Sequence, residues 1–507
     1  MKKGNKLFKI KDGFIMIGMA VLLNFLILPA AAQISAQVSP KKESKGAIKI
    51  SLDDVMSLAL ENSLDIQIAK YDAYIKRTSL KKAESIFDTI LEAELGFSRD
   101  RSMQPTIFAG SEEKKHNFSV GLEKKIPSGT TINLETAAEK ARTDSSYATL
   151  NPYNEATAKI SIKQALGKNF FGLADRGDIK ITKIDIENSD FTSLDDIEES
   201  LYSVEKAYWN FVLKDRHLSV AEDMLERAKK LWSIYKDKYT LGLIEEVELL
   251  TMEALVLTRE SDVFIAKMNK DAAKNNLLFL INQGDFQQDL IALDRLPHEE
   301  GAVNLPEALK EAIENRRDYK RIKNELEMNK IDIVIKKNAL WPEIDLGASF
   351  ARNNIDSSRE DAWGDLSKNS NDDVSVTLKF KFPLENRQAK SELRSAQLEK
   401  AKLLLELKQV ERSVLRELND KVNQVNTVQK QVRILESTLD MHRKKLDEQI
   451  KRLNYGRSNS DTLIRYEEDL LQAQLALSEY LYQYRICRLE LELAKNSLFE
   501  RYWKEPL

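Results

Sequence analysis

The chain has 507 residues, 31% of them charged, with 17 glycines, 10 prolines and 7% aromatics, a profile that suits long solvent-facing helices better than compact mixed domains. A formal net charge of −3 leaves no bulk field that would hold nucleic acid. The single cysteine, Cys487, excludes an internal disulfide and is expected to be a small buried apolar residue.

The N-terminus predicts a secretory signal peptide. Lys2, Lys3, Lys6, Lys9 and Lys11 precede the apolar run Phe14–Leu28, and Ala30–Ala32 supply a small-residue cleavage site. That run is shorter than the roughly 20 residues of a spanning helix. No second apolar run of that kind follows, so any membrane must be crossed by strands. Ser51 is expected to cap a short helix reaching Glu61, with Asp53 and Asp54 in its first turn to suit the dipole. A second helix runs from Asp65 to about Ile86.

Alternation then takes over. Leu91, Ala93, Leu95 and Phe97 interleave with Glu92, Glu94, Gly96 and Ser98, which gives a strand one apolar and one polar face. A second strand, Asn117–Ile126, sets Phe118, Val120 and Leu122 against Ser119, Gly121 and Glu123. Pro127-Ser128-Gly129 turns the chain into Thr130–Thr136, and Ala158–Gln164 alternates again after a polar loop. These strands have about the 9–11 residues that cross a membrane. From Leu201 the apolar positions Val204, Tyr208, Phe211, Leu218, Ala221, Leu225, Ala228, Trp232, Tyr235 and Tyr239 recur at 3-4 spacing, the pattern of helices packed side by side. A helix from about Asp175 to Tyr239 would extend roughly 100 Å at 1.5 Å per residue. It ends in a turn at Gly242, and a returning helix covers Glu248–Ile281.

The second half repeats this order. Ile344, Leu346, Ala348 and Phe350 alternate, then Val374, Val376, Leu378, Phe380 and Phe382. Val425, Val428, Val432, Leu435, Leu439, His442 and Leu446 carry the helical spacing to a turn at Gly456, and Asp461–Phe499 returns. A shift of 253 positions lays Ile50–Arg99 on Val303–Arg352 without a gap, with Leu52/Leu305, Ala59/Ala312, Glu61/Glu314, Asn62/Asn315 and Asp65/Asp318 identical. One duplicated unit is the reading. The layout is a signal peptide (1–32), a flexible mature N-terminus (33–49), repeat 1 (50–283, membrane strands about 90–165), a linker (284–302), repeat 2 (303–500, membrane strands about 343–383) and a C-terminal tail (501–507). Repeat 1 has Asp88 where repeat 2 has Pro342, so its helix-to-strand junction is expected to differ. Repeat 1 also adds a pair of alternating segments between Pro127 and Gln164. Either a barrel gains strands or this hairpin forms an extracellular loop.

Several pieces, in this order, resemble the TolC-like outer-membrane efflux proteins over nearly the whole mature chain. They are the paired Leu-x6-Ala-x-Glu-Asn openings at Leu52–Asn62 and Leu305–Asn315, the junction Leu340-Trp341-Pro342-Glu343-Ile344, and the strand exit Ser161–Gly167. Tyr208-Trp209 and the stretch Glu468–Leu475 complete them. The resemblance implies a mainly α fold with membrane β-strands, in which a homotrimer pools its strands into one β-barrel joined to a long α-helical coiled-coil barrel. Closure would remove every strand edge, as lipid demands. It implies a passive exit duct across the periplasm and outer membrane of a Gram-negative cell. Such a duct is the channel component of a tripartite efflux pump or a type I secretion system. The implied partners are outer-membrane lipid, a periplasmic adaptor protein and an inner-membrane transporter.

Catalytic, cofactor and metal-binding signatures are absent from the sequence: His116, His217, His298 and His442 are scattered, and no nucleophile elbow or phosphate-binding glycine loop occurs. No enzyme and no cofactor are expected. The competing reading, a secreted coiled-coil scaffold or a periplasmic adaptor without a channel, accounts for the signal and the helices. It leaves unexplained the membrane-length strands at one end of each hairpin. For a channel, Phe118, Val120, Leu122, Val376, Leu378 and Phe380 are expected to face lipid, and Ser119, Glu123, Lys379 and Lys381 the lumen. Gly242 and Gly456 mark the hairpin tips and adaptor contacts. Glu245, Glu248, Arg457 and Asp461 are the candidates for the periplasmic entrance. By resemblance, Glu248 and Asp461 match positions where acids begin the returning helices, and threefold symmetry would turn each into a ring. The same acids would also suit helix N-termini without any gate. Neither the cargo nor the pump served can be read from the residues.

Overall fold

The computed structural model describes residues 48–502 apart from 104, 105, 107, 109, 285, 287, 288, 297–300, 367, 369, 370 and 455–459. The expected signal peptide, Gly456 and Arg457 lie outside the described residues. In chain order come β1 (Ile48–Ile50), α1 (Leu52–Asn62), α2 (Leu64–Glu84), β2 (Thr89–Asp100), β3 (Glu113–Lys125), β4 (Thr130–Thr143) and β5 (Tyr153–Ala165). The hairpin α3 (Leu173–Thr240) and α4 (Glu246–Leu280) follows, then β6 (Leu290–Ala292). The second copy is α5 (Leu305–Asn315), α6 (Arg317–Ala339), β7 (Glu343–Asp356), α7 (Arg359–Gly364), β8 (Asp372–Lys381), α8 (Arg387–Asn454) and α9 (Ser460–Ala494). A last short helix, α10 (Leu498–Tyr502), closes the described chain.

The duplication is quantitative. α1 and α5 both have 11 residues, α3 and α8 both 68, and α4 and α9 both 35. Equivalent starts lie 253 residues apart before the sheet (Leu52 and Leu305) but 214 apart after it (Leu173 and Arg387). The difference is one strand hairpin, the one that repeat 1 adds. It lies inside the sheet rather than in a loop: all six strands pair antiparallel in the order β2-β3-β4-β5-β7-β8.

Local chemistry explains the element ends. Ser51 and Asp54 form a capping box, the Asp54 amide donating to the Ser51 hydroxyl and the Ser51 amide to the Asp54 carboxylate at 3.0 Å. The junction of repeat 1 is a 3-10 turn, Ser85–Phe87, whereas repeat 2 turns at Leu340-Trp341 before Pro342. α9 stops at Ala494 instead of running on to Phe499. Asn496 sits in the left-handed region at φ 53, and the Asn496 and Ser497 amides donate to the Leu493 and Glu492 carbonyls, a Schellman stop that asparagine tolerates.

Packing follows the apolar spacing. In α8, Val414, Leu418, Val422, Val425, Val432, Leu439 and Leu446 are buried along one stripe. Its 68 residues span about 100 Å at 1.5 Å per residue. The largest buried cluster gathers Ile66, Ile197, Leu201, Tyr208, Phe211 and Leu277 with residues of β1 and β6. Those two strands form a parallel ribbon that takes Ile48 and Lys49 from the expected flexible N-terminus and Leu290–Ala292 from the expected linker. Asp294 secures it, accepting from the Tyr208 hydroxyl at 2.6 Å and the Leu52 amide at 2.7 Å.

Candidate channel wall and entrance

Register decides what each sheet face carries. One continuous row crosses all six strands as Leu91, Leu122, Leu134, Ile160, Phe350 and Val374. Because side chains alternate, Phe118, Val120, Val376, Leu378 and Phe380 lie on the same face as that row. Their direct partners there are Leu95, Ala93, Ala348, Leu346 and Ile344. In the single chain this row is exposed, Leu95 by 82% and Leu378 by 67%, and only at the loop end of the face does α7 cover Ala156 and Asn354. The opposite face is polar and carries Ser119, Glu123, Lys379 and Lys381. There Lys163 meets a buried Asp345 at 2.8 Å, and Lys115 meets Glu139 at 3.4 Å. The β7–β8 connection, to which the sequence assigns no structure, folds as α7. Ser358 caps it, and the Asn354 amide nitrogen donates to the Asp361 and Ala362 carbonyls.

The sheet joins the helices through a tight crossing. Gly129 and Gly172, both in the left-handed region, meet so closely that a Cβ on Gly172 would lie 2.4 Å from the Pro127 carbonyl oxygen. Asn386 holds the same left-handed conformation in repeat 2, one residue before α8. A buried Asp175 takes Lys125 at 2.8 Å and the Asn169 side chain at 2.9 Å, so the last residue of β3 is tied to the first turn of α3.

At the far end of the helices, Gly242 has φ +69 and a Cβ there would meet nothing within 4 Å. The Gly242 and Leu243 amides donate to the Tyr239 and Lys238 carbonyls at 2.9 Å, which ends α3 in a Schellman turn. Glu245 occupies the N-cap position of α4 and its carbonyl accepts from the Glu248 amide, but its side chain makes no cap bond. Burial raises the Tyr235 phenol, and the nearby charges of Glu248 and Asp461 raise it further, while a side-chain hydrogen bond with Ser460 works the other way. The charges of Glu248 and Asp461, one from each hairpin, thus both act on a single buried tyrosine. Sequence reasoning placed Tyr235 in the apolar stripe and missed this role, since a 3-4 spacing cannot distinguish a phenol from a hydrocarbon. Glu245 stays exposed. Higher in the bundle, Arg259 is buried and bridges Glu468 at 2.6 Å and Asp262 at 3.0 Å, joining α4 to α9.

Among the described residues no helix is long and apolar enough to cross a membrane. No group of three or more His, Cys, Asp or Glu among them is placed to hold a metal ion.

Residues 308–497 match the family model described as outer membrane efflux protein. The fold is similar to that of CusC, with 15% identity, 90% of this chain and 95% of that chain covered, and a TM-score of 0.66. It is similar to the CmeC outer membrane channel of Campylobacter jejuni (14% identity, 91% and 90% covered, TM-score 0.64). The MtrE outer membrane channel of Neisseria gonorrhoeae, in its open state, is a third likeness (16% identity, 88% and 89% covered, TM-score 0.64). No curated protein sequence matches. CusC, CmeC and MtrE are described as forming channels. Residues 308–497 thus carry the pattern of the outer membrane efflux protein model, and across its described residues the chain has the fold of these outer membrane channels.

Proposed function

We propose that three copies of this chain form a passive duct, a β-barrel in the outer membrane continued by a helical tube through the periplasm. The duct serves as the exit component of a tripartite efflux pump or type I secretion system. It engages a periplasmic adaptor and an inner-membrane transporter. The observation that carries the reading is the six-stranded sheet whose apolar row is uncovered while its other face is polar. Water disfavours such a face; lipid on one side and an aqueous lumen on the other satisfy both. A soluble scaffold would leave it unexplained. Phe118, Val120, Leu122, Val376, Leu378 and Phe380 then contact lipid. Glu248 and Asp461 ring the periplasmic mouth beside Tyr235, with Glu245 and Arg457 at its rim, and the tips at Gly242 and Gly456 meet the adaptor.

The test is direct. Full-length protein expressed in a Gram-negative host should fractionate with the outer membrane. In mild detergent it should have the mass of a trimer, and it should conduct ions in planar bilayers. A folded monomer that stays with the soluble periplasmic fraction would overturn the proposal.

A further inference from the structure

We infer that the outer-membrane barrel has eighteen strands and closes at three identical seams, where Lys379 and Lys381 on β8 of one copy meet Glu92 and Glu94 on β2 of the next. The inference rests on the trimeric duct proposed above and adds the identity of the seam and the width of the barrel.

Each chain brings one six-stranded sheet whose edges are β2 and β8. An even number of alternating strands lets the β8 of one copy run antiparallel to the β2 of its neighbour. Both edges are open: every residue of β8 is exposed, and every residue of β2 except Gly96. The polar face carries charges of opposite sign at the two edges. Glu92 and Glu94 stand on β2, Lys379 and Lys381 on β8, all in the half of the strand nearest the helices. Inside the sheet Lys115 and Lys163 form ion pairs; Lys379 and Lys381 stand across from Asp345 and Glu343 of β7, but neither they nor Glu92 and Glu94 form an ion pair among the described residues.

One antiparallel register satisfies the whole seam. With Lys381 opposite Glu92 of the neighbouring copy, Lys379 falls opposite Glu94. On the other face Phe380 then meets Ala93, Leu378 meets Leu95, and Val376 meets Phe97. A slip of one residue would turn each apolar side chain toward the lumen. One like-charged pair, Asp373 with Asp100, falls at the loop end of the strands, where water reaches it. The charges also reject the wrong partner edge. Pairing β2 with β2 sets acid against acid, and β8 with β8 sets lysine against lysine. Only the head-to-tail contact is favourable, and such a contact closes into a ring.

The width follows from the added hairpin. One hairpin from each repeat would give four strands per copy and twelve in the ring; the sheet observed has six per copy and gives eighteen. Barrel diameter grows roughly linearly with strand number, and barrels of about 16–18 strands hold an aqueous channel. The exit of this duct is therefore about half as wide again as the two-hairpin plan would make it.

The experiment uses the full chain in mild detergent and reads the fraction of trimer. Lys379→Glu with Lys381→Glu should lower that fraction at least several-fold, and so should Glu92→Lys with Glu94→Lys. The variant combining all four should recover most of the wild-type trimer. Recovery is the decisive result, because misfolded single-edge variants could not be rescued by a second set of reversals; no recovery, or wild-type assembly of either edge variant, overturns the seam. As a second measurement, Glu94→Cys with Lys379→Cys should give reducible covalent trimers, while Glu135→Cys with Lys379→Cys, which probes β4 instead of β2, should not. Cys487 can stay in place, being buried with its thiol pushed up to about 11 by that burial. Cross-linking through β4 and not β2 would place the β2–β3 hairpin outside the barrel and overturn the strand number. Wild-type protein that is not trimeric would overturn the duct itself, whereas a trimer linked elsewhere overturns only the seam.

Discussion

Glu198 and Glu205 have no exposure to solvent, yet both are bonded by partners from distant parts of the chain. Glu198 accepts from Arg317 at 2.5 Å, the Asn496 side chain at 2.7 Å and the Phe499 amide at 3.0 Å, so it fastens the start of α6 and the C-terminal turn to α3. Glu205 accepts from the Trp209 indole at 3.0 Å, the Tyr502 hydroxyl at 2.8 Å, and Arg485. Losing one partner would leave a buried charge alone, at a cost of about 3–5 kcal/mol. Arg317→Ala should lower the thermal unfolding midpoint in detergent accordingly, and an unchanged midpoint would deny the pair this role. Glu467 behaves oppositely. It is buried, and that burial raises its carboxyl above the usual 4.5 despite Arg227 and Arg259 nearby. A raised acid adds stability that is complete below its unfolded pKa and is lost as pH rises through the folded value. Glu467→Gln should therefore stabilise the protein at pH 7–8, with the gain closing as pH falls below about 4.5, as melting across pH would show. Glycine supplies a third contrast. Gly242→Ala should cost about 1–2 kcal/mol from the left-handed backbone alone. Gly172→Ala should cost more in the same melting assay, since its Cβ would also strike the Pro127 backbone.

The strands and helices obey different periods, and each period makes its own prediction. On β8, Leu378 and Thr377 are adjacent but lie on opposite faces of the sheet. Arginine on a lipid face costs about 2–4 kcal/mol at mid-bilayer, and almost nothing on a wet one. Leu378→Arg should thus impair trimer assembly far more than Thr377→Arg, judged by yield of trimer from membranes; equal yields would contradict the face assignment. The helices are tied along their length by ion pairs such as Lys229–Glu260 at 3.0 Å between α3 and α4, and Lys445–Asp469 at 2.8 Å between α8 and α9. Such exposed pairs contribute at most about 1 kcal/mol each. The buried stripes carry the stability, and the pairs fix which helices are neighbours.

At the scale of the whole molecule, the two hairpins share one buried cluster in which Tyr235 packs with Met252, Leu446 and Leu463, and the charges of Glu248 and Asp461 act on its phenol. If these acids constrict the mouth of the trimer, replacing either with alanine should raise single-channel conductance and weaken cation preference in planar bilayers. The sequence also proposes that Arg457 pairs with that acidic ring, and on that proposal Arg457→Ala should raise conductance as well. Unchanged conductance in all three variants would leave the acids as helix caps, a role that the position of Glu248 in the first turn of α4 already fits.

Sequence alone determined the repeat, the strand faces and the helical hairpins, because those are periodic signals summed over many residues. The alternation at Phe118, Val120 and Leu122 and the 3-4 stripe from Val204 to Tyr239 needed no partner to be legible. Features that depend on residues far apart in the chain were not. The β1–β6 ribbon has three residues per strand and no period to detect. The place of the added hairpin inside the sheet depended on β5 pairing with β7 across an intervening helical hairpin. Asp345, which looks in sequence like any polar strand residue, became a buried partner of Lys163 only through that pairing. Tyr235 reads as core and is core, but that the charge of Asp461 acts on its phenol depends on the second hairpin. Local propensity and period set which elements form and which face is apolar, but register between distant strands is a property of the packed chain, where one residue of slip reverses every side chain.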